Sequence, residues 1–119
     1  MNVLAVDDSP TIREMVRVAL VEGVESVVTA TDAEDALGLI DRQRFDIVIT
    51  DYNMPGMNGI ELVEVLRSRV EYRHVPILML TTESDDELKR EGRRAGCTGW
   101  IVKPFDPARL LSVVKKLGG

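Results

Sequence analysis

The chain has 119 residues, of which 45% are hydrophobic and 29% charged, with a net charge of −5. That length fits one domain, spanning residues 1–119, and apolar runs of four or five residues, such as Val3-Leu4-Ala5-Val6, fall far short of a membrane span. The acidic balance argues against a nucleic-acid partner, and a single cysteine, Cys97, with no basic hydrophobic leader ahead of the first element, points to a reducing cytoplasm.

Short β-type runs alternate with helix-period segments along the chain. Strands are expected at Asn2–Val6, Ser26–Ala30, Asp46–Thr50, Pro76–Leu80 and Gly99–Val102. Most are continuous apolar runs, the pattern of parallel strands covered on both faces. The first helix is marked by Ile12, Met15, Val16, Ala19 and Leu20, and the second by Ala33, Ala36, Leu37 and Ile40. Leu62, Val63, Leu66 and Val70 mark a third, and Leu110, Leu111, Val114 and Leu117 the last. Ser9-Pro10 and Asp106-Pro107 place a capping oxygen before a proline at the first helical position. Thr31 with Glu34, Ser84 with Glu87, and Asn58 with Glu61 read as capping boxes. Five strand-then-helix units give an α/β protein with a parallel sheet and right-handed crossovers.

The segment from Asp85 to Ala95 differs from the other helices. It offers only Leu88 and Ala95 to a core, and Gly92 weakens its interior by about 1 kcal/mol relative to alanine. It reads as a solvated surface helix, or as a loosely held element free to move or to bind a partner.

In open parallel sheets the ligand crevice lies beyond the carboxyl ends of the strands. Asp7-Asp8, Asp51, Thr81 and Lys103 each follow a strand, and spacings of 44, 30 and 22 residues bring them to one edge. Three carboxylates and one lysine leave −2 in one crevice. Two carboxylates ~4 Å apart repel by roughly 4 kcal/mol at an effective dielectric near 20. Either one acid keeps its proton or a hard divalent ion compensates. Oxygen-only donors suit magnesium, with manganese as a substitute, and the lack of His or Cys disfavours zinc. Asp51 has the chemistry of a nucleophile forming an acyl phosphate. Lys103 and the Thr81 hydroxyl are suited to hold phosphoryl oxygens. Gly56 and Gly59 permit a tight loop and close backbone approach after Asp51. Taken singly, each of these residues also reads as turn chemistry or ordinary surface; together they read as a site.

Val6-Asp7-Asp8-Ser9, the run Asp51 to Gly59, Leu80-Thr81-Thr82-Glu83 and Val102-Lys103-Pro104-Phe105 resemble the motifs of two-component response regulator receiver domains, above all their chemotaxis members. The resemblance spans essentially the whole chain and implies a flavodoxin-like, doubly wound five-stranded sheet of order 2-1-3-4-5 with five helices. It implies phosphorylation of Asp51 by a histidine kinase, without enzymatic turnover of outside substrates. It further implies magnesium bound by Asp8 and Asp51 directly, by Asp7 through water and by the Asn53 carbonyl. Lys103 and Thr81 would bind the phosphoryl group, with Lys103-Pro104 as a cis peptide. The pairing of Asn53 with Glu83 is similar to that of members that lose the phosphoryl group quickly. Trp100 stands where the family has its switch aromatic, usually Tyr or Phe, and would act with Thr81; it reads equally well as a core or edge residue.

By the same resemblance the partners are a chemotaxis-type histidine kinase, the flagellar motor switch and a phosphatase, met by a monomer with neither nucleic acid nor membrane involved. Alternatives are a phosphate sink or relay intermediate, and a receiver excised from a larger DNA-binding regulator. A magnesium-dependent aspartyl-phosphate phosphatase is a further one; such enzymes want an acid–base Asp two residues after the nucleophile, and Asn53 stands there. His74 reads as a turn residue, Cys97 as a small buried filler, and Lys115-Lys116 as a helix C-terminal charge preference.

Overall fold

The computed structural model describes residues 1–118. Strands β1 (Asn2–Val6), β2 (Ser26–Ala30), β3 (Ile47–Thr50), β4 (Ile77–Thr81) and β5 (Gly99–Val102) alternate with five helices. These are α1 (Pro10–Leu20), α2 (Ala33–Ile40), α3 (Gly59–Arg67), α4 (Asp86–Ala95) and α5 (Pro107–Gly118). The sheet runs β2-β1-β3-β4-β5 with every pairing parallel. This is the expected doubly wound order, and it puts all five strand C-termini along one edge.

Successive strand side chains point to opposite faces, so each strand feeds two cores. Leu4, Val6, Val48, Ile77 and Met79 pack with Ala36 of α2 and with Leu62, Val63 and Leu66 of α3. Val3, Ala5, Ile47, Ile49, Leu78 and Leu80 meet Val16 and Leu20 of α1 and Leu110 and Val114 of α5. The residues of β1, β3 and β4 between these sets alternate without a polar break, which is why those strands read as continuous apolar runs.

Several expected boundaries move by one residue. β3 starts at Ile47, because the Asp46 carboxylate accepts from the Asn2 amide at 2.6 Å. β4 starts at Ile77, since Pro76 has no N–H for the ladder, and it runs through Thr81. The cap of α2 is Asp32, accepting from Asp35 N at 2.8 Å, while Asp35 reaches back to Thr31 N. The cap of α4 is Asp85, accepting from Leu88 N, where Ser84 was expected. In both cases two capping residues stand side by side and the aspartate takes the role. The Asn58–Glu61 box forms as expected. Val70 does not extend α3; it lies 71% exposed on a single 3₁₀ turn, Val70–Tyr72. Met15 of α1 is also exposed, the core side of that helix being Val16 and Leu20.

One arginine ties the α3 end to the start of β4 and the end of α4. The Arg67 guanidinium donates to the carbonyls of Tyr72 at 2.5 Å, Val75 at 2.7 Å and Gly96 at 2.8 Å. Those carbonyls come from three segments, and a planar fork of five donors satisfies them in a way a lysine does not. Arg67→Ala is expected to cost roughly 2–4 kcal/mol of unfolding free energy by leaving them unpaired, with Arg67→Lys recovering less than half. Urea unfolding of the three proteins checks this.

Cys97, at the α4–β5 turn, donates its thiol to the carbonyls of Ile77 at 3.4 Å and Gly99 at 3.1 Å. Burial pushes this thiol above its ordinary value, against the pull of its hydrogen bonds and of Arg67. The folded protein therefore keeps the thiol proton longer than the unfolded chain does. Stability on this account falls as pH climbs from the unfolded thiol's value toward the raised one. At pH 8 the thiol is expected to react with a disulfide reagent at least about tenfold more slowly than in the urea-unfolded chain, which a thiol-release assay measures.

Candidate functional site

Asp7 is the residue after β1, Asp51 the residue after β3, Thr81 the last of β4, and Lys103 the residue after β5. Register brings them together: Val6 pairs Thr50 and Thr81 pairs Val102 across neighbouring strands. Asp7 and Asp51 are buried and Asp8 is exposed, so the crevice has a dry floor and one wet wall.

Lys103 Nζ lies 2.6 Å from Asp7 Oδ2 and 3.4 Å from Asp51 Oδ2, bridging the two buried acids. The remaining oxygens are held by backbone. Ser9 N donates to Asp7 Oδ1 at 2.9 Å, and Tyr52 N donates to Asp51 Oδ1 at 2.8 Å. Even so, burial raises the Asp7 carboxyl above its usual value, outweighing the Lys103 and Ser9 contacts that lower it, with Asp51 adding repulsion. One lysine does not balance this crevice. Asp7, Asp8 and Asp51 each offer a carboxylate oxygen within 4.8 Å of the others. Three hard oxygen donors, short of positive charge and with one wall open to water, fit a divalent cation.

Two glycines in the loop after Asp51 answer to different constraints, a left-handed backbone at Gly56 and a close backbone approach at Gly59. Gly56 has φ 78°, and a Cβ on Gly59 would stand 2.2 Å from the Asp51 carbonyl oxygen. Gly59 N also donates to Tyr52 O at 2.8 Å, folding the start of α3 under the acid. Local chemistry thus explains both glycines that the sequence singles out.

Asn53 is exposed and donates its amide to Glu83 Oε1 at 3.0 Å, joining the β3–α3 and β4–α4 loops. The buried Thr81 hydroxyl accepts from Glu83 N at 3.3 Å. The Lys103–Pro104 peptide is cis. Trp100 is half-buried against the α3-side core, and its indole N–H donates to the Glu83 carbonyl at 2.8 Å. The acidic set is therefore one cluster, and Trp100 is hydrogen-bonded to Glu83, which in turn meets Asn53 and Thr81.

Two participants escape sequence reasoning. Arg13 Nη1 donates to the Asp7 carbonyl at 2.8 Å from the first turns of α1. At its position in α1 it reads as part of a solvated face. Gly92, which reads as a weak point of α4, is that helix's one buried residue, and a Cβ there would stand 2.8 Å from Trp100 Cζ3. No feature local to α4 announces a neighbour from β5.

The chain is similar to known proteins along nearly its whole length. The family described as "Response regulator receiver domain" matches residues 3–115. The "Chemotaxis protein CheY-3" of Vibrio cholerae serotype O1 is 41% identical over 118 residues, covering 98% of this chain and 91% of that one. The "Chemotaxis protein CheY" of Pseudomonas aeruginosa is 36% identical, covering 98% and 95%. Among solved structures, Vibrio cholerae chemotaxis protein CheY4, crystallized at low pH, superimposes with a TM-score of 0.93 at 47% identity, over 98% of this chain and 97% of the other.

Proposed function

The chain belongs to the response regulator receiver family, and on that premise we propose that Asp51 accepts a phosphoryl group from a histidine kinase, with magnesium held by Asp7, Asp8 and Asp51 and by the Asn53 carbonyl. The observation that carries this reading is the Asp7–Lys103–Asp51 bridge, buried at the carboxyl edge of the sheet and short of positive charge. Residues 1–119 act as one receiver unit.

In the reaction a carboxylate oxygen of Asp51 attacks phosphorus as the bond to the donor's imidazole nitrogen breaks, and the imidazole leaves with that electron pair and takes up a proton. Bound magnesium, or manganese in its place, supplies positive charge to the phosphoryl oxygens. Lys103 exchanges its contact with Asp51 for a phosphoryl oxygen, and the Thr81 hydroxyl turns from Glu83 N to donate to another. Asn53 and Glu83 border the path by which water reaches the acyl phosphate and so bear on its lifetime. The protein assists its own phosphorylation and hydrolysis but turns over no outside substrate.

The output is protein binding governed by the position of Trp100 and Thr81, in cytoplasmic chemotaxis signalling, with the flagellar motor switch as target. The 36–41% identity to chemotaxis proteins along nearly the full length supports it. Incubation with acetyl phosphate and magnesium, followed by capture of purified motor switch protein, tests both halves. Phosphorylation-dependent capture is expected; uptake without capture would leave a phosphate sink, and no uptake would remove the reading altogether.

A further inference from the structure

Glycine at the centre of a helix is unfavourable unless something needs the space. At Gly92 the space is filled by a ring from another element. A Cβ there would lie 2.8 Å from Trp100 Cζ3, too close for both to stay, while Trp100 Cε3 at 3.6 Å and the Cys97 Cβ at 3.8 Å would be in ordinary contact. The indole is a rigid plate, so a methyl at residue 92 has to displace the whole ring or the helix. The ring's other tie is its N–H on the Glu83 carbonyl, and Glu83 in turn accepts from Asn53, two residues after Asp51.

We propose that Gly92 and Trp100 are a size-matched seat and plug, so that the position of the indole and the position of α4 are one variable. The acidic site reaches that variable through Asn53 and Glu83. This part of the proposal rests on the function proposed above. α4 suits such coupling because Gly92 is its one buried residue. Arg67 grips its C-terminal end at Gly96, while the first turn, Asp86 and Glu87, is exposed. The helix is therefore pinned at one end, seated at its middle on the indole, and solvated at the other. A substitution at residue 92 would alter signalling without touching the acid cluster, and the size of residue 92 decides which aromatic β5 can present inward.

Trp100 is the only tryptophan, so fluorescence of the full chain reads it alone. Alanine for glycine inside a helix ordinarily raises the urea midpoint. Gly92→Ala is expected to do so in a Trp100→Phe background, read by circular dichroism, but to lower the midpoint or leave it unchanged when Trp100 is present. With Trp100 present it should also raise acrylamide quenching about twofold or more as the ring leaves its seat. Equal midpoint gains in both backgrounds with unchanged quenching would overturn the seat. Magnesium with beryllofluoride should then change Trp100 quenching in the parent chain, and by less than about half as much in Gly92→Ala, while both proteins still take up phosphoryl groups from acetyl phosphate. A parent-like response in Gly92→Ala would overturn the coupling. Absence of phosphoryl uptake in both proteins would overturn the reading of the acidic site instead, and the four-protein stability comparison would still decide the seat.

Discussion

Lys103→Ala is expected to slow phosphoryl uptake by about 10²–10³-fold while strengthening magnesium binding. The two effects have one cause. Lys103 Nζ bridges Asp7 at 2.6 Å and Asp51 at 3.4 Å and is the ammonium inside the crevice. Removing it deletes a charge aimed where phosphoryl oxygens would gather, and losses of this size follow deletion of one such preorganised donor. It also leaves the three carboxylates uncompensated, so a divalent ion is drawn in more strongly and unfolding becomes more sensitive to chelator. Lys103→Arg should not restore the rate, because a planar fork does not replace a point charge between two acids. Stopped-flow phosphorylation and a magnesium titration on the same preparation measure both signs. Loss of rate together with loss of magnesium affinity would contradict the assignment, since it would place Lys103 in support of the fold rather than in the chemistry.

The second large effect is at Asp51. Asp51→Asn is expected to abolish phosphoryl uptake, to weaken magnesium binding by more than about tenfold, and to make the metal-free protein more stable. The stability gain arises because Asp7, Asp8 and Asp51 place their oxygens within 4.8 Å of one another. Removing one of three like charges relieves a repulsion of about 1–2 kcal/mol after screening by Lys103 and solvent. The amide keeps an oxygen for the Tyr52 N–H that now reaches Asp51 Oδ1 at 2.8 Å, so the loop need not rearrange. Thermal unfolding with and without magnesium should show the variant more stable than the parent in chelator, with a smaller shift on adding metal. A destabilised metal-free variant would mean that the crevice is balanced without an ion.

Much of the fold and the acidic site was legible because both follow from strand ends. A parallel sheet delivers whatever follows each strand to one edge, so Asp7, Asp51, Thr81 and Lys103 can be brought together without knowing any side-chain angle. Apolar runs such as Val3–Val6 and Ile77–Leu80 mark strands because both faces are covered. Caps are less legible. Thr31 beside Asp32, and Ser84 beside Asp85, are both competent capping pairs, and which oxygen reaches the amide is decided by the path of the loop. What occupies the space at Gly92 is illegible for a deeper reason. Helix propensity is a local quantity, and the indole that explains the glycine arrives from β5, eight residues later and through space. The role of Arg13 is hidden in the same way, its partner being a backbone carbonyl that no side-chain pattern reports. Trp100 read equally well as core or switch, and the structure shows why: the ring packs on the core while its N–H reaches a loop that touches the site.

Asp51 is proposed to take up a phosphoryl group beside a divalent ion held by the acid cluster. The most direct test of this is to incubate the protein with acetyl phosphate and magnesium, trap the product with borohydride and locate the reduced residue by peptide mass mapping. One modified residue per chain is predicted, at Asp51, and none when magnesium is chelated. A label on any other residue, or labelling of Asp51 that is indifferent to chelator, would contradict it.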